Sequence, residues 1–326
     1  MSAIASASLP ENAVEIIDLR KTYRAAGGQE PKVALRGVSL SIPRGSVFGL
    51  LGPNGAGKST LINIMAGLTL KSGGMVRIWG RDIDHEPRNA RAAIGVVPQE
   101  INIDPFFTPW ALLDLQAGLY GVPRRERQTE AVLKTIGLWD KRKAYARALS
   151  GGKRRRVLIG KAMVHRPPVL VLDETTAGVD IEMRRQLWDS VRALNREGVT
   201  VLLTTHYLEE AEQLCDRIAI INHGRVAAQG ETKALLQQLD SKSIIILVKE
   251  TLEAIPETLA RFAPTLTHGR NGGQTTVRIA YHPSTTNAGD IVAALAGIGL
   301  SILDISTEET DLEDLFLQLM AKDDGA

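Results

Sequence analysis

Gly52-Pro53-Asn54-Gly55-Ala56-Gly57-Lys58-Ser59-Thr60 carries the spacing GxxxxGK[ST], and its flanks give that spacing a structural meaning. The apolar run Val47–Leu51 precedes it and Leu61-Ile62-Asn63-Ile64-Met65-Ala66-Gly67 follows, so the segment reads as strand, glycine-rich turn and helix. The glycines let the backbone curl until several N–H groups point at one spot. The following helix adds the positive end of its dipole, which makes a nest for a triphosphate. Lys58 would reach the β- and γ-phosphates, and the Ser59 hydroxyl would ligate Mg²⁺. A glycine-rich turn can also do no more than link a strand to a helix. With both flanking elements in place, nucleotide binding is the better reading.

The rest of the composition sets bounds. A chain of 326 residues holds roughly two domains at about 150 residues each. Apolar content of 44% is enough for a globular core, and a formal net charge of +2 gives no sign of a nucleic-acid partner. One cysteine, Cys215, excludes an internal disulfide and fits a reducing cytosol. No apolar run approaches the roughly 18–20 residues that span a bilayer. Met1–Pro10 lacks the basic start and apolar middle of a secretion signal.

Along the chain, Val14–Tyr23 and Ala34–Ile42 read as strands leading to the one before the phosphate loop, with Met75–Trp79 and Ile94–Val97 as two more. From about 100 to 166 the pattern is helical, with stripes at Leu112, Leu115 and Leu119, then Val132, Leu133 and Ile136, then Leu158, Ile159, Ala162 and Met163. Val169–Leu172 is a continuous apolar run of the kind found in buried parallel strands. A helical face at Leu187, Trp188, Val191 and Leu194 follows. Strands are then expected at Thr200–Thr204, Arg217–Asn222 and Arg225–Gln229, and a helix at Glu231–Leu239. Alternating strands and helices imply an α/β core over residues 14–240, with a helical subdomain inserted. Residues 241–326 read as a small α+β domain, with a turn at Gly269–Gly273 and no catalytic or metal cluster.

Further candidate groups are scattered. Asp173 and Glu174 follow the Val169–Leu172 run, at the end of a buried strand, where one carboxylate can hold Mg²⁺ and the next can polarise a water. Acids at strand ends also cap helices or face solvent. His206 comes directly after the strand-like Val201–Thr205, placed to contact a γ-phosphate or to act as a structural donor. Gln99, after Val96-Val97-Pro98, can bind metal and water. In Leu149-Ser150-Gly151-Gly152-Lys153-Arg154-Arg155-Arg156, Ser150 is suited to cap a helix and the glycines leave N–H groups bare. Four cations then crowd the first turn, each disfavoured by roughly 0.3–1 kcal/mol against the helix dipole. A solvated basic face is one reading. An anion brought to this helix start would relieve the conflict, which is the other.

Taken together, these residues resemble the ATP-binding subunit of an ABC transporter over roughly residues 14–235, with each motif in the family's order. The resemblance implies a P-loop NTPase core with ATP and Mg²⁺ as ligands. Tyr23 falls where the family stacks an aromatic on adenine, Gly52–Thr60 is the Walker A loop, and Gln99 is the Q-loop residue. Ser150, Gly151 and Gly152 belong to the signature motif, and Asp173 ends Walker B. Glu174 matches the catalytic glutamate, Ala177–Asp180 the D-loop, and His206 the switch histidine. Ser59, Gln99 and Asp173 would hold the metal; Glu174, His206 and Lys58 would act on the phosphoryl group.

The family also implies a head-to-tail homodimer in which Ser150 and Gly152 of one copy close over the other's Walker A loop. It further implies a separate integral membrane permease, which would hold the chain at the cytoplasmic face of the membrane. Lys153 stands where many members have Gln, and Thr175 where Pro commonly follows the catalytic Glu. The Thr204–Glu212 run, the basic segment and the tail are similar to the drug- and polysaccharide-efflux branch, including daunorubicin-resistance-type ATPases, so export is expected. A soluble non-transport ABC ATPase and an importer subunit are the alternatives.

Overall fold

Two long strands, β1 (Asn12–Tyr23) and β2 (Lys32–Pro43), open the chain as an antiparallel pair. β3 (Val47–Leu51) is buried along its length and feeds through the glycine-rich turn into α1 (Lys58–Met65). β4 (Gly73–Ile78) and the two-residue β5 (Arg81–Asp82) follow, then α2 (Pro87–Ala92) and β6 (Ile94–Val97). The helical region comprises α3 (Pro109–Leu119), α4 (Thr129–Thr135) and α5 (Gly151–Met163). β7 (Val169–Asp173), α6 (Ile181–Arg196), β8 (Thr200–Thr204), α7 (Leu208–Leu214), β9 (Arg217–Asn222) and β10 (Arg225–Glu231) complete the first part. These bounds come from a computed structural model that describes residues 9–24, 30–176, 181–205, 207–237, 242–252, 254–268, 274–281, 285–309 and 312–323.

β1 and β2 do not lead into the sheet of β3. They form a separate antiparallel sheet in the order β2-β1-β4-β5, while β3 lies within a six-stranded sheet in the order β10-β9-β3-β8-β7-β6. The burial pattern explains the separation. β1 and β2 mix buried and exposed positions, as sheets with one wet face do, whereas β3 and β8 are buried throughout. α1 touches both β2 and β7, and one apolar cluster joins Ile16, Val38 and Ile78 to Leu61, Ile64, Val171 and Leu202. Removing each such side chain from water contributes about 1.5–3 kcal/mol, which fixes the phosphate loop between two sheets.

The chain divides into two compact units, Met1–Thr232 and Lys233–Ala326, eight residues ahead of the 240/241 boundary drawn from sequence. Thr232 makes ties back to the chain before β9. Its hydroxyl donates to Cys215 O at 2.7 Å and its N–H to Asp216 O at 3.0 Å. The sequence boundary itself, and the turn expected at Gly269–Gly273, lie outside the described residues.

The second unit begins within α8 (Thr232–Gln237) and contains β11 (Lys242–Val248), α9 (Glu257–Ala260), β12 (Thr265–His268), β13 (Thr275–Tyr281), α10 (Ala288–Gly297), β14 (Ile302–Glu309) and α11 (Leu312–Asp323). Its sheet is antiparallel in the order β12-β13-β11-β14. Ile244, Ile246 and Val248 alternate inward along β11 to meet Val277, Ile279, Ile291 and Leu295. β12 is too short to announce itself by alternation and takes its definition from pairing with β13. Among the described residues of the chain, no helix is long and apolar enough to cross a membrane.

Candidate active site

Parallel pairing brings four separate stretches of sequence to one edge. Leu50 pairs with Thr204, Thr204 with Asp173, and Leu172 with Val97, so β3, β8, β7 and β6 all run the same way and end together. The residues after those ends are the phosphate loop, Thr205, Glu174 and Gln99. Ligands in open α/β sheets bind beyond the carboxyl ends of the strands for this reason.

Gly57 holds the turn at φ +114°, and a Cβ there would lie 2.8 Å from both Ala34 O and Leu35 Cδ2, so only glycine fits. Lys58 follows as the first residue of α1 and is 5% exposed. Its Nζ donates to Gly52 O at 2.6 Å and Pro53 O at 3.1 Å, and stands 4.0 Å from Glu174 Oε1. Burial lowers the Lys58 pKa, with the Glu174 and Asp173 charges opposing it. Asn54, Gly55 and Ser59 are exposed, and Ala56 N–H closes the turn onto Pro53 O at 3.2 Å. Tyr23 joins the site, its hydroxyl 3.4 Å from Thr60 Oγ1 and its ring 4.7 Å from Lys21 Nζ.

The two acids are set by their neighbour on β8. Thr204 Oγ1 donates to Asp173 Oδ1 at 2.6 Å and accepts the Glu174 N–H at 3.0 Å. Burial raises the Asp173 pKa, while the Thr204 hydrogen bond and Lys58 hold it down. Glu174 has φ +44°, a left-handed value rare for a residue with a side chain. Gln99 Nε2 donates to Glu174 Oε2 at 3.0 Å. Deeper in, Glu210 is fully buried and accepts from Thr176 Oγ1 at 2.7 Å and Thr205 Oγ1 at 2.9 Å. Arg184 Nε stands 3.3 Å from the other oxygen of that carboxylate, close enough to pair but not aligned as a hydrogen bond.

The signature segment departs from the sequence reading in two ways. Ser150 does occupy the N-cap of α5, but its side chain makes no capping hydrogen bond. The four cations are not a uniform exposed face either. Arg155 is buried and donates to Thr175 O and to Gln99 O, and Arg156 Nη1 donates to Ile136 O at 3.3 Å. Backbone carbonyls therefore relieve part of the conflict with the dipole that an incoming anion was expected to relieve. Among the described residues, no hydrogen bond brings Ser150, Gly151 or Gly152 to the phosphate loop. His206 and Ala177–Asp180 lie outside the described residues. Thr204 and the inward turn of Arg155 escaped the sequence reading, because each acts across strands or elements whose neighbours only the fold defines.

The geometry has counterparts among known proteins. The family model described as ABC transporter matches residues 35–177. The linearmycin resistance ATP-binding protein LnrL of Bacillus subtilis is 35% identical over 297 residues, 89% of this chain and 94% of the relative. The chain belongs to the ATP-binding subunits of ABC transporters. The Nod factor export ATP-binding protein I of Ralstonia nicotianae is 36% identical over 94% of this chain and 92% of its own. The daunorubicin/doxorubicin resistance ATP-binding protein DrrA of Streptomyces peucetius is 43% identical over 71% of this chain and 69% of its own. Among solved structures, an ATP-binding subunit of an ABC transporter superposes with a TM-score of 0.62 at 29% identity, covering 70% of this chain and 93% of the other. A dimeric ATP-binding cassette in a post-hydrolysis state with ADP and Pi superposes with a TM-score of 0.59 at 28% identity, covering 67% and 98%. This ABC ATPase therefore binds and hydrolyses ATP, on a P-loop core with an inserted helical region.

Proposed function

We propose that this ABC ATPase powers export through a separate integral membrane permease, held by it at the cytoplasmic face of the membrane. The exported compound is drug-, lipid- or polysaccharide-like. The names of the relatives above, two for drug resistance and one for Nod factor export, support that direction of transport. The observation that carries the enzymatic half is the meeting of Lys58, Gln99, Asp173 and Glu174 at the ends of three parallel strands.

The residues fit a bound Mg²⁺. Asp173 offers a carboxylate already oriented by Thr204, and Ser59 and Gln99 add neutral oxygens, a hard donor set suited to an ion that keeps waters and phosphate oxygens as its other ligands. When bound, Mg²⁺ supplies charge neutralisation on the phosphates. The phosphate loop Gly52–Thr60 cradles the triphosphate with its N–H groups, and Tyr23 stacks on the adenine. Lys58 exchanges the Gly52 and Pro53 carbonyls for phosphate oxygens, releasing its charge onto the group that transfers. Glu174, steadied by Gln99, orients the attacking water, and His206 stabilises charge on the phosphoryl oxygens.

Two copies head to tail complete the site, with Ser150, Gly151 and Gly152 of each closing over the triphosphate held by the other. The exposure of Ser150 and Gly151 suits that use. The permease meets the helical region near Asp104–Trp110, where Phe106 and Trp110 are 65% and 40% exposed. No nucleic acid takes part.

Reconstitution with the membrane protein encoded beside this chain tests the proposal. Turnover should rise in proteoliposomes, and Glu174→Gln should trap an MgATP-dependent dimer. A variant that stays monomeric with saturating MgATP, with and without the permease, removes the paired site.

A further inference from the structure

We infer that Arg155 is the positioning residue that aims Glu174, doing by hydrogen bonding what a proline ring would do at position 175. This rests on the reading of Glu174 as the residue that orients water. The turn after β7 puts Glu174 at φ +44°, and the next residue, Thr175, is free to rotate about its own φ where a proline would be locked. Thr175 is nonetheless 3% exposed, and its carbonyl is gripped by Arg155 Nη1. The Nη2 of the same guanidinium reaches Gln99 O at 3.4 Å. Gln99 Nε2 then closes the circuit on Glu174 Oε2 at 3.0 Å.

One planar group thus fastens the ends of β6 and β7 on both sides of the carboxylate. A guanidinium can do this because its donors sit in a rigid fork, whereas an ammonium is a point charge on a flexible stem. The helix that carries Arg155 is held close to β6. α5 lies so close to β6 that a Cβ on Gly95 would come within 2.2 Å of Ala162 O. Thr175 N–H donates no hydrogen bond among the described residues, so a proline there would displace none.

The test uses the full-length chain and compares Arg155→Gln, Arg155→Lys, Thr175→Pro, the Arg155→Gln/Thr175→Pro double variant and Glu174→Gln. For each, kcat, KM for MgATP, binding of a fluorescent ATP analogue and Tm are measured. Arg155→Gln should lose about tenfold or more in kcat with analogue affinity within about twofold, the pattern of a misplaced catalytic group. Arg155→Lys should stay low for want of the fork. The double variant should regain most of the lost kcat, a rescue that a purely structural role for Arg155 does not provide.

Wild-type turnover in Arg155→Gln, an equal loss in affinity, or failure of Thr175→Pro to rescue overturns the inference. If neither single Arg155 variant folds, Arg155 is a structural residue and the inference falls as well. Glu174→Gln separates the two layers. Full turnover there defeats the reading of Glu174, whereas an inactive Glu174→Gln beside a normal Arg155→Gln defeats only the clamp.

Discussion

Gln99 and Glu174 are 75 residues apart in sequence, yet Gln99 Nε2 donates to Glu174 Oε2 at 3.0 Å. The contact joins the residue two beyond β6 to the residue one beyond β7, and it exists because those strands are parallel neighbours with Val97 opposite Leu172. The carboxylate that would act on water is therefore held from the side of the helical region as well as by its own strand. Its other oxygen stands 4.0 Å from Lys58 Nζ, so acid, amide and ammonium already form one cluster.

Replacing Glu174 by Gln keeps the shape of that cluster and removes the carboxylate proposed to orient the attacking water. Turnover should fall by about 10²–10⁴-fold, the usual contribution of positioned acid–base catalysis, with ATP affinity retained. Phosphate release and equilibrium nucleotide binding on the same preparation check it; a variant with normal turnover would take Glu174 out of its role.

Lys58→Ala should act on binding instead. The ammonium is buried and made of donors that now rest on the Gly52 and Pro53 carbonyls, so on the proposed binding mode ATP would meet it by exchange of partners. Removing it leaves a phosphate nest without its mobile charge. Nucleotide affinity should drop by at least about tenfold, as for loss of a charge-assisted hydrogen bond of about 1.5–3 kcal/mol. Titration with a fluorescent ATP analogue reads this directly, and unchanged affinity would contradict the placement.

Thr204→Val should move a pH profile upward. Burial raises the Asp173 pKa and the Thr204 hydroxyl partly holds it down by donating to the ionised form. Without the hydroxyl the pKa climbs further, so Asp173 takes up its proton at higher pH and the acid limb of Mg²⁺-dependent nucleotide binding shifts up. A limb that stays in place or moves down would show that Asp173 does not govern it.

Gly95→Ala is a prediction about stability. The added methyl would fall 2.2 Å from Ala162 O and 3.0 Å from Pro167 Cγ, and the first of these is backbone on α5. The helix must back away from β6, at a cost of about 1–3 kcal/mol typical of overpacking. Chemical denaturation should show the loss, and because α5 carries Arg155, turnover should fall with it. A variant as stable as the parent would mean the helix-to-sheet contact is looser than the distances imply.

Much of this protein was legible in its residues. Val47–Leu51, Ile94–Val97 and Thr200–Thr204 are apolar-rich runs, and each is a strand at those same bounds, while the Val169–Leu172 run is a strand that extends one residue further, to Asp173. The phosphate loop was legible too, because its chemistry depends on consecutive residues: glycine conformations, one lysine and one hydroxyl within a single turn. Local patterns of that kind are fixed by short-range sterics and hydrogen bonding, and sequence order is enough to state them.

What lay beyond the sequence were relations between distant segments. The separate antiparallel sheet of β1 and β2, the Thr204 hydroxyl shared by Asp173 and Glu174, and the inward turn of Arg155 from an apparently basic face all depend on which strands lie side by side. Lateral order is chosen by burial of whole faces against one another, a collective energy that no single stretch of residues contains. The residues offered candidate groups for a site, and the packing of the sheet decided which of them touch.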